Sequence, residues 1–249
     1  MKMLSKNTQK LIRQLNQKKY RDNLGLFVAE RTKVVDELLD KLHCRLLCAT
    51  DAFLSSHASV QADEIVEVTA DELAKLSDLC TARDVVAIFE IPQFEVPALA
   101  SGLVLALDDV QDPGNVGTIV RIADWFGIRE IVASRGTADV WNPKVVQATM
   151  GALARVRVSY VDDLAQWIAR QDLPVYGTFL DGGNIYSSEL SQSGVIVMGN
   201  EGKGISPAVE TLVTKKLLVP SFPEGEETSE SLNVAVATAI VVAEFRRRN

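Results

Sequence analysis

The sequence predicts an α/β protein in which helices cover a mostly parallel sheet. Short apolar runs of strand length alternate along the chain with segments whose apolar residues recur at helical spacing. One run, residues 103–107 (LVLAL), is apolar throughout, which is typical of a strand buried on both faces. Alternation of this kind favours parallel strands connected by crossover helices.

The first part of the chain, residues 1–92, is predicted to be a small α/β unit. It opens with a basic segment of helical pattern at residues 5–19, and a second amphipathic helix has Thr32 near its start. Thr69 and Glu72 have the spacing of a capping box, which predicts another helix start. The strands predicted in this unit are residues 24–28, 45–49, 65–68 and 85–89.

Two prolines, Pro92 at the end of this unit and Pro97 after it, suit a connector. We therefore predict a linker at residues 93–100 and a second domain at residues 101–249. Strands are predicted there at residues 103–107, 130–133, 156–158, 175–180, 195–198 and 216–219. Helices are predicted at residues 118–126, 143–150, 162–170, 207–213 and 231–247.

Length and composition suit a globular protein of one or two domains, since the 249 residues are 47% hydrophobic and 24% charged. No apolar run approaches the ~18 residues of a membrane span, and the N-terminus lacks the apolar stretch of a signal peptide. We therefore expect a cytoplasmic protein with no membrane association. The cysteines Cys44, Cys48 and Cys80 argue against a disulfide framework. With His43 and His57 they do not form the ligand pairs of a zinc site, so no metal is predicted.

The formal net charge of −7 is unevenly distributed. Residues 1–21 contain seven basic side chains and no acidic one, which leaves −14 on the rest of the chain. A basic arm of this kind can neutralise phosphates whatever the total charge. A solvated helix face is the alternative that charge alone leaves open.

Three polar blocks follow predicted strands in the second domain, at the sheet edge where α/β proteins bind ligands. The first, LDDVQDPGNVGTIVRIADWFG, is a polar turn followed by a helix from residue 118. The second, VIVMGNEGKGIS, is a strand and a glycine-rich turn, after which Ser206 and Pro207 start a helix. The third, residues 217–248, is a strand, an acidic loop and a long helix opened by Ser231, Leu232 and Asn233. That helix suits either a buried position or a contact with a second copy.

Several chemistries are excluded by the same patterns. Both histidines precede residue 93, so the second domain has no Ser-His-Asp arrangement. No GxGxxG follows its first strand, and the second block does not match a P-loop. A proton acceptor would have to be a carboxylate, hydroxyl, amide or substrate group.

Taken together, the three blocks resemble those of the SpoU/TrmH family of RNA 2′-O-ribose methyltransferases, in the SPOUT superfamily. The segment YRDNLGLFVAERTKVVDELL resembles the RNA-binding domain of many members, with Arg31 where their pattern usually has glycine. The resemblance implies a knotted (trefoil), mostly parallel-sheet SPOUT methyltransferase domain preceded by a small α/β RNA-binding domain. It also implies S-adenosylmethionine bound in the knot and a homodimer with the active site near the interface.

The resemblance carries particular positions onto this chain. The residues implied for catalysis are Asn115, Arg121, Glu201, Ser231 and Asn233, with Arg121 acting in its own site or the partner subunit's. The residues implied for the cofactor are Gly199, Val219 and Leu232, with Thr178 and Leu180 lining the same pocket.

The implied reaction is methyl transfer from S-adenosylmethionine to a ribose 2′-hydroxyl in tRNA or rRNA. Arginine is a poor general base because its pKa exceeds about 12, so we expect Arg121 to clamp a substrate phosphate with its planar fork. Glu201 would organise its turn or the dimer site, or take part directly in the chemistry. Two alternatives stay open: a SPOUT enzyme that methylates a base nitrogen, and a non-catalytic RNA-binding or assembly protein of the same fold. The RNA and the modified nucleotide also stay open.

Overall fold

The computed structural model describes residues 4–76, 84–98, 100–223, 226 and 231–248. The chain divides into two compact units, the first comprising Met1–Gln93 and Asp139–Ala154 and the second Phe94–Ala138 and Arg155–Asn249. Lys2 and Cys80, which entered the sequence argument, lie outside the described residues.

The elements before residue 99 are two helices followed by strands that alternate with helices. They are α1 (Lys6–Gln14), α2 (Lys18–Leu24), β1 (Leu26–Glu30), α3 (Thr32–Leu39), β2 (Cys44–Ala49), α4 (Asp51–Ser56), β3 (Glu64–Glu67), α5 (Ala70–Leu76) and β4 (Val85–Glu90).

The elements after residue 99 also alternate, except that two strands, Val175–Asn184 and Gly194–Met198, follow one another directly. They are β5 (Leu103–Leu107), α6 (Pro113–Trp125), β6 (Glu130–Ser134), α7 (Pro143–Thr149), a 3-10 turn (Ala152–Ala154), β7 (Arg157–Val161), α8 (Leu164–Ala169), β8 (Val175–Asn184), β9 (Gly194–Met198), α9 (Pro207–Glu210), β10 (Lys215–Leu218) and α10 (Val234–Arg247).

The first unit has a four-stranded sheet in the order β1-β4-β2-β3. Strand β4 is antiparallel to β1 and β2, whereas β3 is parallel to β2. Ile12 and Leu15 from the α1 segment join the same buried cluster as Val28 of β1 and Val86 of β4. One face of α1 is therefore fixed on the core of this unit.

The start of the first unit differs from the prediction, because residues 5–19 are not one helix. Helix α1 ends at Gln14, and α2 begins at Lys18 and runs to Leu24. Gly25 ends α2 in the left-handed conformation, with φ of 64°, which glycine adopts without a steric penalty. As a result β1 starts at Leu26, two residues later than predicted.

The capping box predicted at Thr69 is confirmed. The backbone N–H of Thr69 donates to Glu72 Oε2 at 2.9 Å, and the N–H of Glu72 donates back to Thr69 Oγ1 at 3.2 Å. Arg31, where the family pattern usually has glycine, has φ of 72° and ψ of 134°. That backbone conformation favours glycine, so an arginine there is strained.

Residues 139–154, which the sequence places in the second domain, pack with the first unit. The fully buried Arg21 donates to Asp139 Oδ2 from Nε at 3.1 Å and from a terminal nitrogen at 2.6 Å. Trp141 packs against Phe27, with ring centroids 4.6 Å apart. The partners are far apart in sequence, which explains why local pattern does not reveal the packing.

The second unit has a six-stranded sheet in the order β10-β8-β9-β5-β6-β7, and every pairing in it is parallel. The prediction of a mostly parallel sheet is confirmed. Strands β5 and β9, which precede the first and second polar blocks, are neighbours in this sheet. Because parallel strands end at the same edge, the sheet brings these two blocks together.

Candidate active site

The first polar block starts a helix earlier than the sequence suggests. The Pro113-Gly114 pair, predicted to lie in a turn, forms the first turn of α6, so the prediction of a start at residue 118 is wrong. Asp112 is the N-cap and accepts a hydrogen bond from the backbone N–H of Asn115 at 2.8 Å. Proline suits the first helical position because a backbone N–H there has no acceptor within the helix, so the absence of that N–H in proline costs no hydrogen bond. Asn115 thus lies in the first helical turn.

The second polar block is a tight turn fixed by its own backbone and by the first block. Asn200 and Gly204 form a two-residue antiparallel bridge, and Gly204 has φ of 71°. A Cβ on Gly199 would lie 2.4 Å from the backbone of Gly204, so no side chain fits there. Asn200 Nδ2 donates to the carbonyl of Asp109 at 2.7 Å, which ties the turn to the loop after β5.

Glu201, in this turn, accepts hydrogen bonds from the start of the first block. The backbone N–H groups of Gln111 and Asp112 donate to its carboxylate at 3.3 and 3.2 Å, and Asn115 Nδ2 donates at 3.0 Å. Burial alone would raise the pKa of Glu201, but these hydrogen bonds, with one from its own backbone, lower the pKa below its ordinary value. An ionised carboxylate with a lowered pKa is a good hydrogen-bond acceptor and a weak base near neutral pH.

Asn233, in the third block, completes a chain of hydrogen bonds. Its Nδ2 donates to Asn115 Oδ1 at 2.9 Å, and its Oδ1 accepts from the backbone N–H groups of Ala235 and Val236 at the start of α10. The Glu201 carboxylate can only accept hydrogen bonds, and the backbone N–H groups of α10 can only donate them. These two ends of the chain therefore fix which way the side-chain amides of Asn115 and Asn233 are turned. The three polar blocks therefore meet in one directional network, Asn233 to Asn115 to Glu201.

Arg121 lies outside this network. It is an exposed residue of α6 and has no hydrogen-bond or ion-pair partner among the described residues. Six residues separate it from Asn115, which places it about 9 Å along the helix axis and about 120° around it. Trp125, one turn further on the same face, is 86% exposed.

The residues implied for the cofactor lie at the carboxyl edge of three adjacent strands. Gly199 directly follows β9, and Val219 directly follows β10. The prediction that Thr178 and Leu180 end a strand is wrong, because β8 continues to Asn184. In the pairing of β8 with β10, Lys216 faces Gly177 and the next residue, Leu217, faces Gly183. Residues 178–182 of β8 therefore bulge out between these two pairs.

Exposed apolar side chains mark the same edge. Leu180 is 78% exposed and Leu232, next to the network residue Asn233, is 49% exposed. Ser231 is also exposed and has no hydrogen-bond partner among the described residues. Helix α10 begins at Val234 with Asn233 as its N-cap, so Ser231 and Leu232 precede the helix they were predicted to open.

Asp108 is a contact of the second polar block that sequence reasoning missed. Its carboxylate is buried and accepts a hydrogen bond from the backbone N–H of Ser206 at 2.7 Å, at the end of the glycine-rich turn. Its own N–H donates to the carbonyl of Met198 at the end of β9. The only signal in the sequence is an acid directly after a buried strand, which does not identify the partner.

The described residues also bear on two other kinds of feature, a metal site and a membrane-spanning helix. Within the described residues, no group of three or more His, Cys, Asp or Glu side chains is placed to hold a metal ion. No helix in the same part of the chain has the length and apolar character needed to cross a membrane.

Comparisons with known proteins agree with the sequence resemblance. The chain matches the SpoU rRNA Methylase family over residues 102–243 and the MRM3-like substrate binding domain over residues 6–87. It is 30% identical over 243 residues to the 23S rRNA (guanosine(2553)-2′-O)-methyltransferase RlmP of Bacillus subtilis, covering 94% of each chain. It is 43% identical to a solved TrmH-family protein from Porphyromonas gingivalis, with a TM-score of 0.91 and 100% of both chains covered. An AdoMet-bound rRNA methyltransferase from Sinorhizobium meliloti is 28% identical, with a TM-score of 0.87 over 100% of this chain and 97% of that one.

Proposed function

Because the chain belongs to the SpoU rRNA methylase family, we propose that it transfers a methyl group from S-adenosylmethionine to a ribose 2′-hydroxyl of RNA. The observation that carries this proposal is the network from Asn233 through Asn115 to Glu201, which joins all three polar blocks at one sheet edge. Ribosomal RNA is the favoured substrate, since two of the three relatives compared above, those from Bacillus subtilis and Sinorhizobium meliloti, are named for rRNA.

The residues at the edge of β8, β9 and β10 fit an adenosyl group. Leu180 and Leu232 expose apolar surface there, and Val219 and Gly199 offer backbone groups that directly follow two strands. Cofactor sites are mostly apolar surfaces with a few placed polar groups, which matches this composition. When bound, S-adenosylmethionine supplies an electrophilic methyl group.

The chain's own residues would align the ribose and hold its surroundings. Asn115 and Asn233 each use one N–H in the network and keep a second N–H that can donate to a ribose or phosphate oxygen. Glu201 acts by fixing Asn115 and the glycine-rich turn, because its lowered pKa makes it a weak proton acceptor. Arg121 clamps a phosphate with its fork-shaped guanidinium, which orients the hydroxyl that must lose its proton.

Arg121 serves the partner subunit's site in this proposal, and the protein is a homodimer. The support is that Arg121 is exposed, lies about 120° around α6 from Asn115, and has no partner within the described part of its chain. Trp125 on the same helix face and Val236 on the adjoining α10 are 86% and 50% exposed. Such apolar side chains beside a free arginine suit a contact with a second copy.

A complementation experiment tests this arrangement. Arg121→Ala and Asn115→Ala are each expected to abolish activity, and mixing the two proteins is expected to restore part of it. Restoration follows only if one site can combine Asn115 of one chain with Arg121 of the other. No recovery in mixtures shown to exchange subunits would mean that both residues serve the same chain's site.

Trp125→Asp is expected to shift the protein from dimer to monomer in light scattering. Leu24→Asp, at a 49% exposed apolar residue of the first unit, is the matched control and should leave the dimer intact. A monomeric wild-type protein would contradict the proposal.

The position of the transferred methyl group separates the proposed function from its alternatives. Ribose 2′-O-methylation makes the adjoining phosphodiester resistant to alkali, because the 2′-oxygen can no longer attack the phosphate. Purified protein, labelled S-adenosylmethionine and rRNA should give label in alkali-resistant dinucleotides. Label in base-modified mononucleotides would indicate a SPOUT enzyme acting on a base nitrogen, and no heat of binding with S-adenosylmethionine in calorimetry would indicate a non-catalytic RNA-binding protein.

Family membership also supports a trefoil knot in the second unit, and the similarity to a bacterial 23S rRNA methyltransferase supports a cytoplasmic location. The domain limits proposed from the sequence, 1–92 and 101–249, enclose the two family matches at 6–87 and 102–243.

A further inference from the structure

The first unit contains a groove of about 300 Å³ between α1 and α2. The side chains that line it include three cations, Lys6, Lys10 and Arg13, together with Gln17 and Tyr20. None of the described residues that line it carries a carboxylate. This volume is at the lower end of the ~300–1,000 Å³ typical of ligand sites.

The three cations form one row on α1. They are spaced i, i+4 and i+7, so they share a helix face. Within the described residues Lys6 and Lys10 have no ion-pair partner, and Arg13 donates only to the carbonyl of Lys75, at 3.4 Å. Such a row is available to an external anion.

Two cations of α2 that lie outside the groove have acidic partners. Lys18 bonds Asp22 at 3.0 Å, and Arg21 is buried against Asp139. The groove thus gathers three cations that have no acidic partner among the described residues. Because the opposite face of α1 is fixed on the core through Ile12 and Leu15, the row is held in place by the fold.

The remaining lining residues indicate the kind of anion. Tyr20 is partly exposed, and its hydroxyl has no partner among the described residues. An aromatic ring beside a row of cations is typical of sites for unpaired nucleic acid, in which bases stack and phosphates follow the positive charge. The glutamine amide can both donate to and accept from a base edge.

We propose that the α1–α2 groove binds a single-stranded segment of RNA, with successive phosphates along Lys6, Lys10 and Arg13 and a base against Tyr20. This inference rests on the proposed function, because it assigns a location and a strandedness to the RNA that the enzyme modifies. A duplex would place its phosphates on the cations but could not offer an unstacked base to the tyrosine.

The test is fluorescence anisotropy with the full-length protein and a labelled single-stranded oligoribonucleotide, compared with the same sequence as a duplex. Lys10→Gln should weaken single-strand binding and make the negative slope of log K against log salt shallower by about 0.7, the value for one lost phosphate contact. Lys19→Gln is the matched control, because it removes an equal charge next to Tyr20 but outside the groove. It should change the single-strand affinity and the salt dependence of binding less than Lys10→Gln does.

Two substitutions of Tyr20 test stacking separately from charge. Tyr20→Ala should lose on the order of 10-fold in single-strand affinity, whereas Tyr20→Phe, which keeps the ring, should stay near wild type. Equal losses in Lys10→Gln and Lys19→Gln, or equal losses for single strand and duplex, would overturn the assignment. So would wild-type affinity in Tyr20→Ala.

Methyl transfer by the wild-type protein separates this inference from the proposed function. If rRNA is methylated at a ribose but the groove variants bind and methylate normally, the groove assignment fails alone. If the wild-type protein binds S-adenosylmethionine but methylates no ribose, the proposed function fails, whatever the groove binds.

Discussion

The buried pair of Arg21 and Asp139 should be the most sensitive ionic contact in the first unit. Their side chains are 2% and 14% exposed, and Asp139 Oδ2 accepts two of the guanidinium's hydrogen bonds. Its other oxygen accepts the backbone N–H of Trp141 at 3.0 Å. Asp139→Ala therefore leaves a buried guanidinium with only its bond to the carbonyl of Leu15.

Removing one partner of a buried pair costs about 3–5 kcal/mol, because the other charge stays buried without compensation. Native domains are stable by only ~5–15 kcal/mol, so this loss is a large part of the total. The matched control is Asp22→Ala in the exposed Lys18–Asp22 pair, whose side chains are 63% and 57% exposed. An exposed i, i+4 pair contributes about 0.3–0.5 kcal/mol.

Hydrogen exchange measured by mass spectrometry is the suitable assay, since the two units need not unfold together. Asp139→Ala should raise the opening constant of amides in β1, β4 and α7 by roughly 100-fold or more, the equivalent of about 3 kcal/mol. Asp22→Ala should change it by about 2-fold. Equal exchange in the two variants would refute the reasoning, and unchanged exchange in α7 would refute the assignment of residues 139–154 to this unit.

The other predictions concern single side chains. Arg121→Lys keeps the charge but loses the fork, so turnover should fall roughly 100-fold while calorimetry shows S-adenosylmethionine bound as in wild type; near-normal turnover would contradict a bidentate clamp. Glu201→Gln should lower turnover by roughly 10-fold through loss of the carboxylate that orients Asn115, and an unchanged rate would show that the network is dispensable. Arg31→Gly should stabilise the first unit by about 1 kcal/mol in urea unfolding, since it relieves a positive φ, whereas Lys33→Gly should destabilise it. Hydrogen bonds to the Glu244 carboxylate, the strongest from Arg247, outweigh its burial and lower its pKa from an ordinary 4.5 to about 2. The ionised carboxylate therefore stabilises the fold fully above pH 4.5, and this contribution is lost as the pH falls through 2. Glu244→Gln should remove that dependence of the unfolding free energy on pH.

Local pattern was sufficient for the elements whose signals are local. The capping box at Thr69 and the continuous apolar strand at Leu103–Leu107 both depend on residues within a few positions of each other. The start of α6 was missed because a Pro-Gly pair indicates a turn as readily as a helical first turn. Asp112 decides between them, since its side chain caps the N–H of Asn115.

Long-range contacts explain what the sequence could not show. Arg21 and Asp139 are far apart in sequence, as are Glu201 and Asn115, and no periodicity relates either pair. The family resemblance named the residues of the network, but only the structure shows that they form a directed chain of hydrogen bonds. Arg31 is an instructive case, because the family's usual glycine at that position matches the positive φ of the backbone.

Ribose-methylation mapping of total RNA, from cells with and without this gene, tests the central claim most directly. The proposed function predicts that the deletion loses a 2′-O-methyl mark at a discrete ribose, that wild-type protein restores it and that Arg121→Ala does not. Loss of a base methylation with every ribose mark intact would contradict the claim.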